Sequence, residues 1–109
     1  MIPLREIAFA RSGDKGSSAN IAVFGRTSAA YRWMRKHLTE EVVGHYFRPL
    51  GGGAVTRYDV PNLEALNFVL TDILAGGGSR SLRIDAQGKT LGMALLELQV
   101  DFPVPAKRR

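Results

Sequence analysis

The chain reads as an α+β domain in which a single sheet carries helices packed on one face. Short apolar runs of strand type alternate with stretches whose apolar residues recur at helical spacing, in the order β-β-α-β-α-β with a further helix near the end. The 109 residues fit one domain, long enough for one real core. No repeat or linker divides them, so the expected organisation is one domain over 1–102 and a basic, proline-containing tail over 103–109.

Taken in order, Leu4 to Ala10 and Ile21 to Phe24 carry β-compatible residues and predict two strands. Between them lies a polar stretch, Ala10 to Asn20, too long for an ordinary hairpin connection and therefore expected to be a functional loop or to hold a short helical turn at Ser17-Ser18-Ala19. Thr27 or Ser28 is a suitable N-cap, and Tyr31, Met34 and Leu38 follow at helical spacing. Thr39 is a second N-cap candidate, with Glu40 and Glu41 suited to a first turn and Val42, Val43, Tyr46 and Phe47 as the apolar stripe. Residues 28 to 47 thus hold two short helices, or one kinked near Leu38, and Pro49 with Gly51-Gly52-Gly53 ends them.

Ala54 to Val60 alternates in strand fashion. Pro61-Asn62 opens what the apolar positions Leu63, Leu66, Val69, Leu70, Ile73 and Leu74 predict as a helix, stopped by Gly76-Gly77-Gly78. Ser79 to Asp85 is expected as a strand, with Gln87-Gly88 as a turn. Leu91, Ala94, Leu95 and Leu98 favour a helix over roughly 89 to 97, followed by an extended tail, although Leu96, Leu98, Val100 and Phe102 also fit a strand.

Composition narrows the chemistry. An apolar fraction of 45% and a charged fraction of 23% are those of an ordinary globular protein. With no cysteine, disulfides, thiolate metal sites and thiol catalysis are excluded. His37 and His45 do not make a metal pair, and no metal is expected. No signal-peptide pattern opens the chain and no apolar run approaches a membrane span, so a soluble cytoplasmic protein without membrane contact is expected. The net charge of +5 points toward nucleic acid, but Lys107, Arg108 and Arg109 supply three of those charges. The body keeps twelve basic against ten acidic residues, a net of +2, too little to steer a phosphate polymer. Trp33 beside Arg32, Arg35 and Lys36 reads as a half-buried residue of a surface helix.

The candidate site is the polar stretch. Lys15, among glycines and hydroxyls, is suited to a carboxylate or phosphate, with backbone N–H groups donating alongside; the competing reading is a solvated lysine or one paired with Asp14. The spacing is not that of a Walker loop, which rejects nucleotide triphosphate hydrolysis. Ser12, Ser17 and Ser18 can donate hydrogen bonds or act as nucleophiles, or cap local backbone groups together with Asp14, the commoner role. Asn20 can tie the loop back to its strand. Arg57 and Tyr58 project to opposite faces of a strand; Arg57 with Arg83 would make a cationic patch on the open face, against the plainer reading of a solvated sheet surface. Asn67 interrupts an apolar run and either bonds into the site or sits at the helix edge.

Arg11-Ser12-Gly13-Asp14-Lys15-Gly16, with Asn20-Ile21 shortly after, resembles the signature of the small domain of the AtuA-like (acyclic terpene utilisation) family. Thr56-Arg57-Tyr58, Leu66-Asn67-Phe68-Val69-Leu70, the Gly76-Gly77-Gly78 run and Leu82-Arg83-Ile84-Asp85-Ala86-Gln87-Gly88-Lys89 are similar to it as well, so the likeness covers Leu4 to about Leu98. It implies an α+β domain of ferredoxin-like type, with a single sheet of about four strands and helices on one face. In that family the domain is the C-terminal part of a longer protein or a separate short chain beside the larger one, in bacterial catabolism of acyclic terpenes or acyl-CoA compounds.

The expected function is a small subunit or accessory domain acting with a larger AtuA-like protein. It would bind an anionic ligand, an acidic small molecule of acyl-CoA type, through Arg11, Ser12, Asp14, Lys15, Ser17, Asn20 and Arg57. Further copies of the chain are expected as partners, and no cofactor. Two alternatives stand beside it: an independent small lyase or hydrolase using Asp14 or Lys15 as acid or base, and a non-catalytic module that oligomerises through its sheet face or a free edge strand.

Overall fold

The computed structural model describes residues 1–50, 53–72 and 89–103. Within them the chain runs β1 (Ile2–Pro3), β2 (Ala8–Lys15), β3 (Ser18–Gly25), α1 (Ser28–His37), α2 (Glu40–Phe47), β4 (Val55–Val60), β5 (Ala65–Leu70), α3 (Lys89–Leu95) and β6 (Gln99–Val100). One antiparallel sheet has the order β2-β3-β5-β4, and β1 pairs with β6 in a separate ribbon. Strand β3, the α1–α2 crossover, and β4 form a split β-α-β: β3 and β4 run parallel, with β5 inserted antiparallel between them. The fold is α+β and ferredoxin-like, with its outer strand β2 drawn from the start of the chain.

The expected long polar loop is a correction. Residues 10 to 20 continue the two strands, paired residue for residue from Ala8↔Gly25 to Lys15↔Ser18, and only Gly16 and Ser17 turn the corner. Gly16 has φ +62°, the left-handed first position of a II′-type hairpin turn, which glycine adopts without a Cβ clash. Pairing uses main-chain groups, so polar side chains on both faces of an outer strand do not end it. At the other end, Leu4–Glu6 is a 3-10 turn and not part of the strand; Leu4 and Arg5 donate their amides to Leu98 and Leu96 instead.

The helix expected from Asn62 through Leu74 is the second correction. Pro61–Leu63 is one 3-10 turn, Glu64 takes a left-handed φ of 52°, and Ala65–Leu70 enters the sheet as an inner strand. Leu66 and Leu70 satisfy both a helical and a two-residue period, and an inner strand flanked on both sides is apolar enough to resemble a helix. The period of two through Leu66, Phe68 and Leu70, all buried, is the one the fold uses. The strand expected at Ser79–Asp85, Arg83, both the Gly76–Gly78 stop and the Gln87-Gly88 turn, and the basic end of the tail lie outside the described residues.

The helices expected within residues 28 to 47 and from residue 89 are present. Thr27 Oγ1 accepts from the Ala30 amide at 3.0 Å and Thr39 Oγ1 from the Val42 amide at 3.2 Å, so two capped helices replace one kinked one. The third helix ends at Leu95, and the chain after it is extended into β6. The three helices among the described residues pack on one face of the sheet, α1 and α2 over β3, β5 and β4, and α3 over β2 and β3. Between them lie Ile21, Val23, Leu66, Phe68 and Leu70 from the strands and Met34, Leu38, Val43, Leu91 and Leu95 from the helices. Two glycines permit the closeness: a Cβ on Gly25 would lie 2.7 Å from the Tyr31 amide nitrogen, and one on Gly92 would lie 3.0 Å from Ser12 Oγ. Among the described residues no helix is long and apolar enough to cross a membrane.

Candidate functional site: the uncovered sheet face

Register sorts the candidate residues by face. Side chains opposite one another in a ladder share a face, and faces alternate along each strand. Toward the helices point Ala10, Val23, Leu66 and Asp59 in one row and Ser12, Ile21, Phe68 and Arg57 in the next. The opposite face, which none of the described helices covers, carries Phe9, Phe24, Ala65 and Val60; then Arg11, Ala22, Asn67 and Tyr58; then Gly13, Asn20, Val69 and Thr56.

The residues of the polar stretch therefore do not converge. Ser12 lies under α3, where its Oγ accepts from the Gly92 amide at 3.1 Å. Arg57 also lies on the helix side, which corrects the expectation of a cationic patch on the open face. Its guanidinium donates to the carbonyls of Arg35 and Leu38 at 3.0 and 2.9 Å, satisfying the C-terminal end of α1 where a cation is favoured. Its amide donates to Glu40 Oε2 at 2.7 Å, so a side chain from α2 occupies a main-chain donor of outer strand β4. Ser17 Oγ, in the hairpin turn, donates to Asp72 Oδ1 at 3.0 Å, and Ser18 Oγ accepts from the Asp72 amide at 3.4 Å. These hydroxyls fasten the turn to the end of β5. Asp14 and Lys15 are placed by register opposite Ala19 and Ser18, and their side chains lie outside the described structure.

Among the members of the set whose side chains are described, Arg11 and Asn20 reach the open face, and the backbone position of Lys15 falls in the same alternation. Asn20 Nδ2 donates to Asn67 Oδ1 at 3.3 Å across β3 and β5. Asn67 thus faces the site, as one of its two expected readings had it, but from a strand. Arg11 is exposed, and its guanidinium has no hydrogen-bond or ion-pair partner among the described residues. Beside the amide pair, Ser18, Asn20, Asn67 and Val69 line a shallow cavity of about 370 Å³.

Sequence reasoning missed the aromatic part of this surface. Phe9 and Phe24 stack with ring centroids 5.0 Å apart, and the Arg26 guanidinium lies 5.7 Å from the Phe9 centroid. Arg26 is held there by donating Nε to the Arg5 carbonyl at 3.1 Å. Phe9 remains 44% exposed and Tyr58, on the opposite outer strand, 54% exposed. The period-two alternation Phe9, Arg11, Gly13 was the signal available, but it was hidden by reading residues 11 to 20 as a loop.

A second polar group lies on the helix side. Tyr31 donates its hydroxyl to Asp59, and Arg35 approaches Asp59 at 3.9 Å and the Tyr31 ring at 5.5 Å. The hydrogen bond to Asp59, with burial second, raises the Tyr31 pKa above its ordinary value. Burial likewise raises that of Tyr46, whose hydroxyl donates to the Ala94 carbonyl at 2.7 Å. Both phenols join a helix to its neighbour and neither faces a cavity described above. Among the described residues no group of three or more histidine or acidic side chains is placed to hold a metal ion.

The described residues of the open face thus offer small and aromatic side chains, two amides and one cation, Arg11, that makes no ion pair with any of them. A family model described as the AtuA ferredoxin-like domain matches residues 2–101. No curated protein and no solved structure matches the chain.

Proposed function

The chain belongs to the AtuA ferredoxin-like domain family, and from that premise we propose that it is the small accessory unit of a larger AtuA-type protein. The two act together in the breakdown of acyclic terpene or acyl-CoA type metabolites. The observation that carries this reading is the extent of the family match, which spans β1 to β6 and leaves no described element over for a separate activity. A four-stranded sheet that the described helices cover on one side only also supports it, because a face with exposed aromatic side chains is the usual mark of an interaction surface. The anion contact of the unit centres on Arg11.

Mixing the purified chain with the larger AtuA-type protein of the same genome tests the proposal. Sedimentation velocity at about micromolar concentration is expected to show one species heavier than either component. Two species that sediment separately at that concentration overturn it.

A further inference from the structure

We infer that the uncovered sheet face is the surface that docks on the larger AtuA-type protein, and that this partner brings a carboxylate to Arg11 from within an apolar patch. The inference rests on the accessory-unit reading and adds to it the place and the chemistry of contact.

Charge selects the occupant. The three rows of the face whose side chains are described carry one cation, Arg11, and no carboxylate, and the next row begins at the position of Lys15. Arg26 adds a second guanidinium at the rim, over Phe9. Two acids at the ends of the sheet whose side chains are described are already engaged, Asp72 by Ser17 and Glu64 by Ser28 Oγ at 2.6 Å. A guanidinium covered by a partner without an acceptor would lose its hydration and gain nothing, a heavy cost in a dry interface. Charge complementarity therefore requires an acid on the other side, and a guanidinium favours the two-oxygen geometry of a carboxylate.

A second copy of this chain does not meet that requirement. Face to face, two copies would place Arg11 against a surface whose described residues bear guanidinium groups and no acid. Area argues the same way. Four strands at ~4.8 Å spacing and six residues at ~3.4 Å rise make a face of roughly 400 Å², about half of the ~800 Å² that each partner contributes to a standard interface. A larger partner that also wraps the Phe9–Phe24 stack and Tyr58 can supply the remainder. Phe9 two residues from Arg11 on β2, Phe24 beside it on β3 and Tyr58 across the sheet on β4 surround a cation with aromatic side chains, which is the composition of an interface core with a charged anchor.

The test measures binding of the full chain to the larger AtuA-type protein by titration calorimetry, comparing wild type with Arg11→Glu, Tyr58→Asp and Arg32→Glu. Arg32 is exposed on α1, across the domain from the open face, and serves as control. Binding is expected to weaken about tenfold or more for Arg11→Glu and Tyr58→Asp, with Arg32→Glu unchanged and all melting temperatures close to wild type. Arg11→Lys should retain part of the affinity, and added salt should weaken wild type more than Arg11→Gln. If wild type binds and the two face variants bind equally well, the docking inference fails while the accessory-unit reading stands. If wild type does not bind, both fail. A homodimer abolished by Tyr58→Asp without effect on the larger partner would assign the face to a second copy. Binding of octanoate that depends on Arg11 while the larger partner is indifferent to it would assign the face to a free acid. Either result overturns the inference.

Discussion

The Arg57 guanidinium donates to the Leu38 carbonyl at 2.9 Å, so a strand residue closes the end of helix α1. The same nitrogen donates to Arg35 O at 3.0 Å, satisfying two of the carbonyls that a helix C-terminus leaves without intrahelical donors. Arg57→Ala is therefore expected to destabilise the domain by about 1–2 kcal/mol, the scale of a charge-assisted bond at a helix C-terminus. Urea unfolding measures it. A variant as stable as wild type would remove Arg57 from the scaffold and return it to the candidate binding residues.

Gly25 tests the fit of α1 on the sheet. A methyl group there meets the main chain of Tyr31 at 2.7 Å from its nitrogen and 2.9 Å from its Cα, and a backbone cannot rotate away as a side-chain tip can. Gly25→Ala is expected to lower stability by ~1–3 kcal/mol, in the range of overpacked cores. Thermal unfolding checks it, and an unchanged melting temperature would mean that α1 slides on β3 at little cost.

The two phenols set an alkaline limit. Tyr31 and Tyr46 both have pKa values raised above the ordinary 10.0 in the fold, so the folded state holds these protons more tightly than the unfolded chain. Their contribution is fully present below the unfolded value and is lost as pH rises through the folded one. Melting temperature should therefore fall as pH climbs above 10, and Tyr31→Phe should flatten part of that fall. Equal slopes for variant and wild type between pH 9.5 and pH 11 (roughly the window of tyrosine titration) would show that the Tyr31–Asp59 bond does not couple to folding.

Much of this architecture was legible in the residues and some was not, for identifiable reasons. Thr27 and Thr39 announced their helices because an N-cap is a local event settled within three residues. The inner strand β5 was mistaken for a helix because Leu66 and Leu70 fit either period, and the choice depends on β3 and β4 flanking it, which no local window contains. The site was misjudged through the same limitation. Polar residues 11 to 20 look like a loop one by one, whereas the ladder that keeps them extended is formed by main-chain groups and closed by Gly16. Once extended, alternate residues separate, and a set that seemed to converge divides between two faces. Arg57 followed the same rule: its neighbour Tyr58 took the open side.

Arg11 and Ser12 give that division its most direct test, since adjacent residues should respond in opposite ways. Ser12 Oγ accepts from the amide of Gly92, in the first turns of α3. Gly92 is buried, and no water replaces the lost oxygen at low cost. Ser12→Ala should therefore destabilise the fold by about 1–2 kcal/mol, as removal of one partner of a buried hydrogen bond does. Arg11→Ala removes an exposed side chain with no partner among the described residues, and its stability should stay within ~0.5 kcal/mol of wild type. Binding should show the reverse order, with Arg11→Ala weakening association with the larger AtuA-type protein and Ser12→Ala leaving it intact in the folded fraction. Urea unfolding of both variants, paired with calorimetric titration, separates the two faces in a single comparison. A Ser12 variant that folds normally but no longer binds would place the functional surface under α3, and the assignment of the open face would have to be abandoned.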